Sequence, residues 1–175
     1  PHSLEGQRGR ALSLARLFRH RDAEAVWLQV LAGATSDPER RRDAREQLVQ
    51  LWAELGELED RIRDYEPRFG YSHKRGSLPP TEAPDPETGR MLAEAYQRLA
   101  RQPSYRAQPA AYLRSAEDVL VRVVGLEPGD TASLRAIERL RLRRGDRDGA
   151  ITIREQLLRL EPERAAEHWM RMAEH

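Results

Sequence analysis

Cysteine and asparagine are absent from this chain of 175 residues, lysine occurs once (Lys74), and aromatic residues make up only 6%. Without cysteine there can be no disulfide, no thiolate nucleophile and no cysteine-based zinc site. An excess of charge of one sign is missing too, since 30 basic residues face 29 acidic ones. Nothing in the overall charge therefore draws the chain to nucleic acid or to an anionic membrane, and any electrostatic role must be local. No apolar stretch approaches the roughly 18 residues of a membrane-spanning helix, so membrane insertion is not expected. No secretory signal pattern appears, and a cytoplasmic location is the expectation. The chain opens on Pro1-His2-Ser3 without a methionine, which reads as a remnant of expression. The native start and its targeting information are expected to lie outside the sequence.

Recognisable catalytic patterns are missing as well. His2, His20, His73, His168 and His175 never stand at the i, i+4 spacing of a helical metal pair, and no HExxH motif occurs. The carboxylates alternate with arginines, as in Glu57 to Asp64 and Glu161 to Glu167, a pattern of solvated helix faces with weak i, i+4 pairs. No glycine-rich phosphate loop follows a strand, because no segment reads as a strand. The expectation is a chain with no enzymatic activity and no bound cofactor or metal. All but one of the 30 basic residues are arginine; with the abundant alanine, this is the bias of a GC-rich coding genome and predicts a bacterial source.

What is present is helical periodicity. Thr131 to Arg164 holds two apolar-periodic segments separated by Arg-Arg-Gly-Asp-Arg. Leu134, Ile137 and Leu140 form the stripe of the first helix, and Ala150, Ile151, Leu157, Leu158 and Leu160 that of the second. Gly145 is expected to stop the first helix and Pro162 the second. So short a helix pair cannot bury both stripes alone and needs similar neighbours stacked on it. An earlier Leu-Glu-Pro closure at Leu126 to Pro128 follows a helix with Ala116, Val119, Leu120 and Val123 on one face. Its partner is predicted over Met91 to Arg101, with Leu92, Ala95, Tyr96 and Leu99, and an enlarged turn around Gln102 to Tyr105 joins the two. A third pair opens at Asp37-Pro38-Glu39, an N-cap followed by proline in the first turn. It continues through Leu48, Val49 and Trp52 to Gly56, then Leu58, Ile62 and Tyr65, with Pro67 expected to end its second helix early. A weaker pair spans Gly6 to Ala34, with Leu14, Ala15 and Phe18 on one helix and Ala25, Leu28 and Leu31 on the next. Residues 163–175 read as a capping helix that carries Trp169 and Met172. The segment Gly70 to Gly89, with Pro79, Pro80, Pro84 and Pro86, reads as a linker or long loop. The expected organisation is thus N-terminal helix pairs over 1–69, a proline-rich linker over 70–89, and C-terminal helix pairs plus cap over 90–175.

The Gly145-Asp146 turn, Ala150-Ile151, Leu158, Leu160 and Pro162 resemble the tetratricopeptide repeat (TPR) family, with departures at Glu138 and Arg141, where that family has a small residue and a large aromatic. The resemblance implies an all-α superhelix of antiparallel helix pairs whose first helices line a concave, ligand-binding groove. Arg135, Arg139 and Arg143 are spaced by four, nearly opposite Leu134, Ile137 and Leu140 around the helix. By the resemblance, Arg90, Arg101 and Leu142 share their surface, Glu94 intrudes, and Asp43, Glu46 and Glu54 make the other end acidic. The implied function is a non-catalytic protein-interaction scaffold that holds a peptide or helix of another protein, in particular an acidic segment gripped by forked guanidinium contacts. Two other classes stay open: an RNA-binding helical repeat, disfavoured because few aromatics accompany the arginines, and a regulatory domain of a larger enzyme or assembly protein. Arg40, Arg41 and Arg42 form a second basic cluster, offset by Asp37, Glu39 and Asp43. The family's chaperone-tail clamp uses two asparagines, so this chain cannot carry it in that form.

Overall fold

The computed structural model of the chain describes residues 4–17, 19–33, 37–81, 83–102 and 109–162. Among them the protein is mostly helical, with eight helices: α1 (Leu4–Arg16), α2 (His20–Gly33), α3 (Pro38–Glu54), α4 (Leu58–Phe69), α5 (Pro86–Leu99), α6 (Pro109–Leu126), α7 (Thr131–Arg144) and α8 (Arg147–Leu160). The expected capping helix and the enlarged turn before α6 lie largely outside the described residues. The chain divides into two compact units, residues 1–65 and 66–175.

Four of the helices begin in the same way. Asp37, Asp85, Asp130 and Asp146 each accept a hydrogen bond from the backbone N–H three residues on, at 3.1, 2.8, 3.0 and 3.0 Å. A carboxylate there satisfies one of the unpaired first-turn amides and meets the positive end of the helix dipole. Asp85-Pro86-Glu87 repeats Asp37-Pro38-Glu39, so α5 starts at Pro86, well before Met91.

In the first unit α1 packs on α2 and α2 on α3. The buried face of α2 is Ala23, Val26, Trp27, Val30 and Leu31, while Ala25 and Leu28, expected on that face, are exposed. Trp27 explains the rotation: its ring is 2% exposed, and burying an indole outweighs burying an alanine methyl. Trp52 of α3 and Leu58 and Ile62 of α4 are also in the core. Buried Glu24 ties α2 to α3 and α4, accepting a hydrogen bond from the Trp52 indole N–H (2.9 Å) and pairing with Arg61 (2.6 Å) and Arg21 (2.9 Å). The Arg61 guanidinium also lies over the Trp52 ring, 5.5 Å from its centroid.

The second unit opens with the last residues of α4. Pro67 does not end this helix; it sits in the final turn, and Gly70, at φ +74°, stops it. A two-stranded antiparallel ribbon follows, β1 (Tyr71–Ser72) pairing with β2 (Gly76–Ser77), within the segment read from sequence as a linker without strands. The Leu78 N–H donates to the Gly70 carbonyl (2.9 Å). Side chains that dock on α5 and α6, set out below, hold so short a ribbon in place; an isolated hairpin of this size is not stable in water. Beyond it α5 packs on α6, α6 on α7 and α7 on α8. Their shared core holds Leu92, Tyr96, Leu99, Ala116, Val119, Val123, Leu134, Ile137, Ala150, Ile153 and Leu157. Ile151 and Leu160, expected on the packing stripe of α8, are 52% and 44% exposed; Ile153 takes the inward position instead.

Charged bridges cross between the last helices: Glu138 with Arg154 (2.6 Å), and Arg141 with Glu117 (2.8 Å) while it also donates to the Gly149 carbonyl (3.0 Å). Gly89 is a tight point. A Cβ there would meet Val123 Cγ2 at 2.5 Å and Phe69 Cζ at 2.6 Å. Helix propensity alone makes Gly→Ala stabilising by about 1 kcal/mol, yet Gly89→Ala is expected to destabilise the protein by about 1 to 3 kcal/mol through overpacking. Urea denaturation followed by circular dichroism checks this, and a stabilised variant would show that α5 can move away from Phe69.

Candidate interaction surface

Asp130 starts α7, and Gly145, left-handed at φ +83°, ends it. Between them Leu134, Ile137 and Leu140 are buried. Residues four apart are about 6 Å apart along a helix axis, so Arg135, Arg139 and Arg143 make a row about two turns long on the other side. Arg139 and Arg143 are exposed and make no ion pair among the described residues. Leu142 stands beside them, 47% exposed. Arg135 is half-buried and paired with Glu161, the residue that caps the C-terminus of α8.

Arg90 is placed differently. Its side chain is only 13% exposed and meets three carboxylates, Glu87 (3.2 Å), Asp130 (2.8 Å) and Glu127. Burial pulls its pKa down, but Asp130 and Glu127 outweigh that and the net shift is upward. The same pair acts on Asp130, where burial pushes up while the Ser133 hydrogen bonds and Arg90 pull down, leaving the carboxyl below its ordinary range. Arg90 is thus a structural bridge from α5 to the α6–α7 loop, committed to internal partners. Arg101 lies exposed just past the end of α5, and Glu94 is half-buried on it. In the first unit Asp43 pairs with Arg8 (2.9 Å), Glu46 with Arg42 (3.7 Å) and Glu54 with Gln50. Arg40 pairs with its own cap, Asp37 (2.9 Å). Within α7, the groups of the sequence-predicted surface that are exposed and make no ion pair among the described residues are therefore Arg139, Leu142 and Arg143.

A second cluster has no counterpart in the sequence reading. His73, in the ribbon turn, stacks on Tyr112 of α6 with ring centroids 4.7 Å apart, and its Nδ1 lies 2.7 Å from Ser115 Oγ. The Tyr71 hydroxyl donates to Asp118 (3.2 Å), and Arg122 donates to the Gly70 carbonyl (2.8 Å) while lying over the Tyr71 ring. The Glu66 carboxylate accepts from the His73 backbone N–H (2.6 Å) and from the Tyr96 hydroxyl. Burial pushes both phenols above the ordinary tyrosine range, and Glu66 adds to the rise at Tyr96. The contacts clamp the ribbon onto α5 and α6: Ser115 is 3% exposed, and Glu66 holds the backbone of His73, while Tyr112 and Ser115 hold its ring. Among the described residues no group of His, Asp and Glu is placed to hold a metal ion. In the first unit, Arg19, His20, Arg21, Asp22, Leu55 and Glu57 line an open depression of about 310 Å³, but Arg19 pairs with Asp22 and Arg21 with Glu57.

Comparison of the chain with protein-family models, with curated proteins and with solved structures finds no match. Among the described residues no helix is long and apolar enough to cross a membrane.

Proposed function

We propose that this chain is a non-catalytic, TPR-like interaction scaffold that binds an acidic segment of another protein along α7. One observation carries this reading: Arg139, Leu142 and Arg143 stand exposed together, while Arg141, Arg144 and Arg154 of the same helix pair are tied to carboxylates. Exposed guanidinium groups beside an apolar side chain suit a ligand that offers carboxylates and an apolar anchor. An extended peptide presents alternate side chains about 6.7 Å apart, close to the roughly 6 Å rise of the arginine row. Support for the repeat reading comes from the stacked pairs α5–α6 and α7–α8 and from the Gly145 and Asp146 caps between α7 and α8. At Glu138 and Arg141, salt bridges stand where a TPR packs a small and an aromatic residue.

The test is titration of a labelled synthetic peptide alternating glutamate and leucine, with a lysine–leucine peptide as control. The double change Arg139→Glu with Arg143→Glu is expected to weaken glutamate-peptide binding about tenfold to a hundredfold, since exposed charged contacts are worth less than buried ones. The circular dichroism spectrum should stay unchanged. Equal binding by both proteins rejects the surface, and so does tight, salt-sensitive binding of single-stranded RNA in its place.

A further inference from the structure

The first rung of the arginine row is already taken. Arg135 of α7 pairs with Glu161, whose backbone N–H closes α8 on the Leu157 carbonyl at 2.9 Å. A carboxylate at a helix C-terminus meets the negative end of the dipole, so the Glu161 side chain gains nothing from the α8 dipole, and Arg135 gives it a favourable partner. The pair is partly exposed, with side chains 37% and 20% exposed, against 13% for Arg90. The exposed part of such a pair is screened by solvent, which limits its worth. The contrast with Arg90 is direct: that guanidinium is 13% exposed and surrounded by three carboxylates, so an incoming ligand cannot take it without breaking the core. Arg135 is held by a partly exposed carboxylate, and Arg139 and Arg143 continue the same row with no ion pair among the described residues.

We infer that Glu161 is an internal competitor for the acidic partner, seated on Arg135 in the place that a carboxylate of the bound segment takes. This rests on the proposed interaction surface and adds its regulation. The bound segment engages Arg139, Leu142 and Arg143 first and gains its last contact by displacing Glu161. The Glu161–Arg135 contact therefore lowers the affinity of the resting protein and sets a threshold on the number of carboxylates that a ligand must offer.

Titration of the glutamate–leucine peptide tests the inference. Glu161→Gln, and Glu161→Ala as a second variant, are expected to bind about five-fold more tightly than the wild type, the worth of one partly exposed ion pair. In an Arg135→Gln background the Glu161→Gln change should have no effect, because nothing remains to be released. Unchanged or weaker binding by both Glu161 variants, with the Arg139→Glu, Arg143→Glu protein still defective, overturns the competitor and leaves the surface standing. An equal gain from Glu161→Gln with and without Arg135 also overturns it, since the effect is then only the removal of one negative charge. No binding by either the wild type or the Glu161 variants overturns the surface and the competitor together.

Discussion

Truncating Trp52 to alanine is expected to lower the unfolding free energy by about 3 to 5 kcal/mol, the range for removing a large buried aromatic. The indole is 1% exposed in the core of the first unit, and it also donates to buried Glu24 at 2.9 Å and lies beneath the Arg61 guanidinium. Alanine leaves a cavity, removes the ring face from Arg61 and strips one donor from a carboxylate that is itself 7% exposed. Trp52→Phe separates these effects. It keeps most of the apolar volume and the ring face but not the N–H, so its cost should be about 1 to 3 kcal/mol. Urea titrations of the three proteins give the values, and hydrogen exchange locates them, with lost protection expected in α2, α3 and α4. A loss under 1 kcal/mol for Trp52→Ala would remove the indole from the core.

For the second unit the sharpest expected effect is at Asp130. Asp130→Ala should cost about 3 kcal/mol, made up of about 1 for the α7 cap and about 1.5 to 3 for a charged contact to Arg90. Glu87 and Glu127 still face Arg90, which keeps the loss from growing further. Because the Asp130 carboxyl is held below its ordinary range, its contribution is complete above about pH 4 and is lost as the pH falls through the lower folded value. The melting temperature of the wild type should therefore drop more steeply on acidification than that of Asp130→Ala, with the two curves converging at low pH. Asp130→Asn, which can cap the helix but cannot pair with Arg90 as an ion, should fall between them. Parallel curves at all pH values would show that Asp130 carries no charge-dependent stability.

The helices were legible because their signals are local. Asp37-Pro38-Glu39 marked the start of α3, and Gly145 with the Leu134, Ile137 and Leu140 stripe marked α7. Identical chemistry stands at Asp85-Pro86-Glu87, but the surrounding prolines mask it, so apolar periodicity alone starts α5 at Met91 and not at Pro86. The ribbon was not readable in this way. Its strands are two residues each, too short for alternation to register, and they hold because Tyr71 and His73 find Asp118, Ser115 and Tyr112 far along the chain. A hint was the placing of Tyr71, Tyr96 and Tyr112 in an aromatic-poor sequence. For the candidate surface, four-residue spacing gave the arginine row. Spacing could not tell Arg139 and Arg143 from Arg90 or Arg135, because Glu127, Asp130 and Glu161 reach those arginines only once the helices have packed.

The docked ribbon has a consequence for how the second unit folds. A stack of helix pairs is assembled mainly from contacts between sequence neighbours, which close quickly. The ribbon adds contacts separated by 42, 47 and 52 residues, from His73, Tyr71 and Gly70 to α6. Each doubling of a closed loop costs only about 0.6 kcal/mol of chain entropy, so the finished fold is little weakened by the long tether. The delay falls on the kinetics: α5 and α6 must first meet before the ribbon has a surface to seat on, which makes its docking the expected late step in an otherwise locally assembled array.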